Sequence, residues 1–245
     1  MIERQVEIST ADGQMNTFIC HPERNGPHPA IIFLMDAPGI REELRDMVRR
    51  LGTVGYYVML PNLYYRSGVE ELGPFVGDAY ASSRQRYMAL MRTIDIPLVM
   101  TDIDALLAFA DGDAAAAAGP AGCVGYCMSG RYAINAALRH PMRVGAAASI
   151  YGVELVTDKP DSPHLALQRT GARLYFGCAE TDHYAPQEMI DKLRAELARS
   201  GGNAEVEIYP GTQHGFAFPQ RPVYDKAAAE RHWERLFALF ENALK

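Results

Sequence analysis

Apolar residues recur along this chain in short blocks whose spacing switches between that of strands and that of helices. Residues 3–8 and 14–21 read as two strands joined by the turn ADG at 11–13, a hairpin near the chain start. PAIIFLM (29–35) is a continuous apolar run, as expected of a strand buried on both faces. REELRDMVRRLG (41–52) has helical spacing, with Leu44, Met47, Val48 and Leu51 on one face. GYYVMLP (55–61) returns to strand and is stopped by Pro61. Residues 62–80 carry glycine and proline without a clear period and read as loop. Residues 82–93 and 98–110 read as helices, and DGDAAAAAGP (111–120) is a low-complexity helix tail and surface loop.

The second half repeats the alternation. AGCVGY (121–126) reads as strand, MSGRYAINAALRH (128–140) as helix and VGAAASIYG (144–152) as strand. A polar loop then runs to 171. ARLYFGCA (172–179) is strand, PQEMIDKLRAELARSG (186–201) helix, AEVEIYPG (204–211) strand, and 222–244 a long terminal helix. An opening hairpin followed by strand–helix units predicts an α/β fold, a mostly parallel central sheet with helices on both faces. One domain over 1–245 accounts for the pattern, with residues 62–96 as a cap-like insertion. The loops that follow the strands should gather at one end of the sheet, where α/β folds place their sites.

Composition narrows the function. Of 245 residues, 48% are hydrophobic and 22% charged, ordinary values for a globular protein with one large core. The net charge is −6 without a basic block, which argues against nucleic acid or an acidic membrane as partner. The chain start has no apolar signal core, and no apolar run reaches membrane-spanning length, so a cytoplasmic location is expected. Four cysteines in a chain of this length do not suggest a disulfide scaffold.

Candidate chemistry sits at three strand ends. Gly125-Tyr126-Cys127-Met128-Ser129 follows a strand and opens a helix, in the pattern Gly-x-nucleophile-x-small. A sharp strand-to-helix turn strains its central residue, tolerates only small neighbours two positions away, and lifts the central side chain above the sheet. The helix N-terminus favours thiolate over thiol and can hold an oxyanion. Ser129 stands where glycine is more usual. Cys123 lies inside the strand and reads as core packing, as do Cys20 and Cys178; a C-x-x-C metal or redox spacing is absent. A cysteine nucleophile needs a base, and the base an orienting acid. CAETDHYAP (178–186) offers Asp182, with Glu180 as rival, and His183; YPGTQHGFAFP (209–219) offers His214, the stronger base candidate for its flanking glycine and the strand behind it. The chain order nucleophile, acid, histidine is that of the α/β-hydrolase fold.

Taken with PAIIFLMDAPGI, PNLYYRSG, SIYGVEL, AETDHYAP and TQHGFAF, the GYCMSG segment resembles the dienelactone hydrolase family over nearly the whole chain. The resemblance implies an α/β-hydrolase fold with Cys127 as nucleophile, Asp182 as orienting acid and His214 as base. It also implies cleavage of a small ester or lactone through a thioester, with no cofactor and no metal. It assigns the oxyanion-hole N–H groups to Ala37 and Met128, and a thiol-activating role to Asp36, where the family has glutamate. Asp36 could instead cap the turn APGI. The family holds the carboxylate of dienelactone with two arginines. One matches Arg84, with Arg86 as a near rival; the other position is Phe218, and Arg221 is out of register. The chain is therefore expected to prefer a less anionic ester or lactone. Tyr64 and Tyr151, at strand ends, read as pocket lining or equally as core packing, and Tyr80, Tyr87, Met88 and Met91 as a cap over the site or as ordinary helix core. A monomer or homodimer is expected. Two other classes compete with a hydrolase: a binding or regulatory protein on a hydrolase scaffold, and a redox thiol protein.

Overall fold

In a computed structural model the chain forms two compact units, Met1–Ala118 and Gly119–Lys245. The structure describes residues 1–73 and 78–245, without the side chains of 78–82. Part of the expected 62–80 loop and the side chain of Tyr80 therefore lie outside the described residues.

The first unit opens with the expected hairpin. β1 (Ile2–Thr10) and β2 (Gly13–His21) pair antiparallel from Ile2↔His21 to Thr10↔Gly13. β3 (Ala30–Leu34), α1 (Glu42–Thr53) and β4 (Tyr57–Pro61) follow, and β4 lies parallel to β3 and antiparallel to β2. All five residues of each of β3 and β4 are buried, which is why both read as unbroken apolar runs. On α1 the buried residues include Leu44, Met47, Val48 and Leu51, one stripe laid on β2 and β4. Each such side chain contributes about 1.5–3 kcal/mol of burial.

α2 (Asp78–Met91) and α3 (Ile96–Gly112) complete this unit. Asp95 caps α3 by accepting a hydrogen bond from Leu98 N at 2.9 Å. The segment after β4 is held by a buried charge. Asp102 of α3 has no exposed side-chain surface and receives Arg66 Nη1 and Nη2 at 2.9 and 2.7 Å and the Tyr65 hydroxyl at 2.9 Å. The low-complexity tail also finds a partner: His28 N donates to Ala115 O at 2.8 Å and Ala117 N to His28 O at 2.7 Å.

In the second unit β5 (Ala121–Tyr126), β6 (Val144–Ile150), β7 (Arg173–Thr181) and β8 (Ala204–Gln213) pair in that order, all parallel. The helices between and after them are α4 (Gly130–Arg139), α5 (Ala166–Arg169), α6 (Gln187–Ser200) and α7 (Lys226–Leu244). Two expectations shift. The polar loop to 171 holds a 3₁₀ turn at Pro163–Leu165 and the short α5. The terminal helix starts at Lys226 rather than 222, because Asp225 accepts from Ala228 N at 2.9 Å and fixes the boundary there.

Candidate active site

β5 ends at Tyr126, and the chain turns through a 3₁₀ segment, Cys127–Ser129, straight into α4. Cys127 has φ +55°, a left-handed conformation that costs a non-glycine residue about 1–3 kcal/mol. The neighbours leave no other path. A Cβ on Gly125 would lie 2.0 Å from the Ser129 carbonyl oxygen, and one on Gly130 would lie 2.3 Å from Ser149 Oγ and 2.6 Å from Gly152 Cα. Glycine is thus required at 125 and 130, while 129, with ordinary helical dihedrals, accommodates a buried serine. The Cys127 carbonyl accepts from Val153 N at 3.3 Å, which ties the turn to the segment after β6.

Asp182 follows β7 and His214 follows β8. His214 Nδ1 donates to Asp182 Oδ2 at 2.6 Å, and the carboxylate's other oxygen, Oδ1, accepts from Tyr184 N at 2.8 Å and Ala185 N at 3.1 Å. Both oxygens are therefore committed, and the side chain has no exposed surface. The rival Glu180 is exposed and accepts from Gly211 N at 2.8 Å; His183 is exposed.

Burial by itself pulls the His214 pKa down. The Cys127 sulfur and the Asp182 carboxylate, through charge and hydrogen bonding, outweigh it and raise the pKa to about 10. His214 Nε2 is buried without a partner in strict hydrogen-bond geometry. The thiol thus lies close enough to act on the ring without standing on the line of an N–H bond. Two tyrosines flank the imidazole: Tyr151, with φ +37°, and Tyr184 each place a ring centroid 5.0 Å from it, at 60° and 61°. Tyr184 is 53% exposed. Sequence reasoning passed over it, although it stands only two residues beyond Asp182.

Cys127 is partly exposed, whereas Cys20, Cys123 and Cys178 are buried. Burial raises the thiol pKa of Cys20 to about 11 and of Cys178 to about 12, and that of Cys123 further still. These three pack as core thiols.

The remaining expected site residues have definite surroundings. Phe218 is wholly buried, 5.4 Å from the Tyr126 ring and 6.0 Å from Tyr151, with the Arg221 guanidinium 5.5 Å from its own centroid. Met128 is buried at the head of the turn. In the first unit, Tyr64 is buried and its hydroxyl donates to the Ala37 carbonyl at 2.7 Å. Asp36 accepts from Arg41 Nη1 at 2.5 Å and Nη2 at 3.3 Å, and Arg41 also donates to Glu43 at 2.8 and 2.9 Å. The turn that Asp36 could have capped is closed by backbone instead, Gly39 N donating to Asp36 O at 2.9 Å. Arg84 is exposed on α2, and Tyr87 is buried.

Parallel strands joined by helices, with a strained residue lifted at one strand end, define the α/β-hydrolase class. Solved structures agree: a "Putative Dienelactone Hydrolase" from Klebsiella pneumoniae superposes with a TM-score of 0.84 at 24% identity, covering 98% of each chain. The family model for the dienelactone hydrolase family matches residues 15–244, and the chain belongs to that family of hydrolases. Among curated relatives, a "Putative carboxymethylenebutenolidase" of Methylorubrum extorquens is 30% identical over 96% of this chain and 79% of its own. One of Escherichia coli with the same name is 27% identical over 96% and 85%.

Proposed function

We propose that this protein cleaves a small ester or lactone with Cys127 as nucleophile, His214 as base and Asp182 as the acid that orients it. The observation that carries the reading is geometric: His214 Nδ1 is fixed on the buried Asp182 carboxylate at 2.6 Å, while the one cysteine that is not buried stands on a strained turn at φ +55° and acts on the same ring.

The thiol proton passes to His214 Nε2, and the thiolate attacks the carbonyl carbon. The Met128 N–H, at the start of the turn that opens α4, donates to the developing oxyanion. The C–O bond breaks as the imidazolium protonates the leaving alcohol or enol. Water then gives a proton to His214 and attacks the thioester, which releases the acid and restores the thiol. Cys127 accounts for attack, His214 for each proton transfer, the last of which returns the water proton to the departing thiolate, and Asp182 for the tautomer that makes Nε2 the accepting atom.

The reading extends to substrate charge. Phe218 occupies the position at which the family resemblance places a carboxylate-binding arginine, and its ring is buried among Tyr126 and Tyr151. A neutral or weakly anionic ester or lactone is the preferred substrate. Hydrolysis of p-nitrophenyl acetate that survives reductant and disappears in Cys127→Ala, with an acyl adduct on the wild-type chain by intact mass, supports the mechanism. Full activity in Cys127→Ala refutes it. Faster turnover of an acidic lactone than of a neutral one of equal size refutes the charge preference.

A further inference from the structure

We infer that His232, on α7 and hydrogen-bonded to the residue before Cys127, is a positioning residue for the site. The proposal rests on the reading of Cys127 and His214 as nucleophile and base.

His232 lies about two turns into α7 and has no exposed surface. Its Nδ1 is held against the backbone carbonyl of Ala229. A carbonyl only accepts, so Nδ1 carries a proton, and in the neutral ring Nε2 is left as an acceptor. The atom facing Nε2, at 3.1 Å, is the hydroxyl of Tyr126, also wholly buried. The tautomer and the direction of the bond follow: Tyr126 donates and His232 accepts.

Tyr126 immediately precedes Cys127. Its ring is packed against His232 at 5.9 Å, Tyr151 at 5.9 Å and Phe218 at 5.4 Å. Tyr151 in turn packs on His214 at 5.0 Å and Phe216 at 5.3 Å, and Phe216 on His232 at 6.4 Å. Phe216 and Phe218 are two and four residues beyond His214, in a turn where Phe216 N donates to Gln213 O and Phe218 N to Gly215 O, both at 3.1 Å. One aromatic shell therefore touches the residue before the nucleophile and seats the loop of the base.

Aromatic rings alone could slide and re-pack. A single directional bond donated to α7 fixes the Tyr126 ring, and through it the spacing between sulfur and imidazole. Packing would be satisfied as well by phenylalanine at 126 and an apolar residue at 232. A buried hydroxyl and a buried imidazole add the cost of desolvation, which their mutual bond offsets, and what they gain is direction. A misplacement of about 1 Å at reacting atoms can cost about 100-fold in rate.

The test uses three variants of the whole chain and Cys127→Ala, assayed for p-nitrophenyl acetate hydrolysis and for melting temperature. His232→Leu removes the acceptor, Tyr126→Phe removes the donor at constant ring volume, and His232→Gln restores an acceptor for the Tyr126 hydroxyl. Expected are about a tenfold fall in kcat with KM within about twofold for His232→Leu and for Tyr126→Phe, equivalent to about 1.4 kcal/mol, and recovery of most of that loss in His232→Gln. If His232→Leu fails to fold, Tyr126→Phe decides on the same criterion. Wild-type kcat in Tyr126→Phe, or a loss confined to KM, overturns the proposal while an inactive Cys127→Ala leaves the mechanism standing. An active Cys127→Ala overturns both.

Discussion

Replacing Asp182 by asparagine should silence the enzyme without unfolding it, and the geometry says why. The two oxygens of Asp182 are not equivalent. Oδ1 accepts from Tyr184 N at 2.8 Å and Ala185 N at 3.1 Å, and Oδ2 accepts from His214 Nδ1 at 2.6 Å. An asparagine in this place keeps its oxygen on the two backbone N–H groups, because its NH₂ would oppose them. Its NH₂ then faces His214 Nδ1, and a donor there forces Nδ1 to become the acceptor. The imidazole proton moves to Nε2, the atom that receives the thiol proton in the proposed mechanism, and the proposed base is lost by tautomer rather than by displacement. The charge that helps raise the His214 pKa to about 10 is lost too. The same substitution costs about 10⁴ in kcat in a Ser-His-Asp triad. For a more acidic thiol nucleophile the expected loss is at least about 100-fold, or about 2.7 kcal/mol of transition-state stabilisation. The retained backbone bonds limit the stability cost to about 1.5–3 kcal/mol, the range for a hydrogen bond to a charged group. The measurements are kcat on p-nitrophenyl acetate and a urea midpoint. An Asp182→Asn protein that folds and keeps more than about a tenth of the wild-type kcat refutes the tautomer argument.

Three further outcomes are expected. Iodoacetamide on the native chain should add one adduct rapidly, at Cys127, because Cys20, Cys123 and Cys178 are buried with raised pKa values; peptide mapping that finds a second fast site counts against this assignment of the thiols. Cys127→Ala should move the His214 titration midpoint, read by NMR, to lower pH, because the sulfur is among the groups that raise it; an unmoved midpoint contradicts the contact. Arg66→Met should lower stability by about 3–5 kcal/mol by stranding the fully buried Asp102, and Asp102→Asn in the same chain should recover part of the loss in a urea titration; no change in midpoint would mean that the charge is satisfied elsewhere.

What could be read from the sequence follows the range of the interactions. Strands β3, β4 and β5 are buried along their whole length, so each announces itself as an apolar run. The turn at Cys127 is equally local: the constraint at Gly125 comes from the Ser129 carbonyl, four residues on, and pattern reasoning can see that far. The choice of Asp182 over Glu180 needed only the depth of each residue in one loop, and the structure brings Asp182, not Glu180, onto His214. The helix start at Lys226 was also within reach, since Asp225 is an ordinary capping residue. The pairing of Asp36 with Arg41 spans five residues and leaves no sequence signal, and the reading of Asp36 goes to thiol activation, by family resemblance, with a turn cap as the alternative.

Longer connections left no such trace. Arg66 meets Asp102 across 36 positions and Tyr126 meets His232 across 106, and neither pair has a period or a neighbouring signal. Yet they are not alike in kind. Arg66 and Asp102 fasten the segment after β4 to α3, a task that many side-chain pairs could perform. Tyr126 and His232 converge on a residue whose backbone is already strained at φ +55°. A strained turn stays in place only when its surroundings over-determine it. Gly125 and Gly130 remove steric alternatives for the backbone, but neither restrains where the Cys127 sulfur stands relative to the imidazole. That restraint has to come from side chains touching both partners, and the shell of Tyr126, Tyr151, Phe216 and Phe218 is where the two meet. The local motif thus makes the turn, and in the proposed arrangement the distant hydrogen bond that Tyr126 donates to α7 gives it a fixed aim.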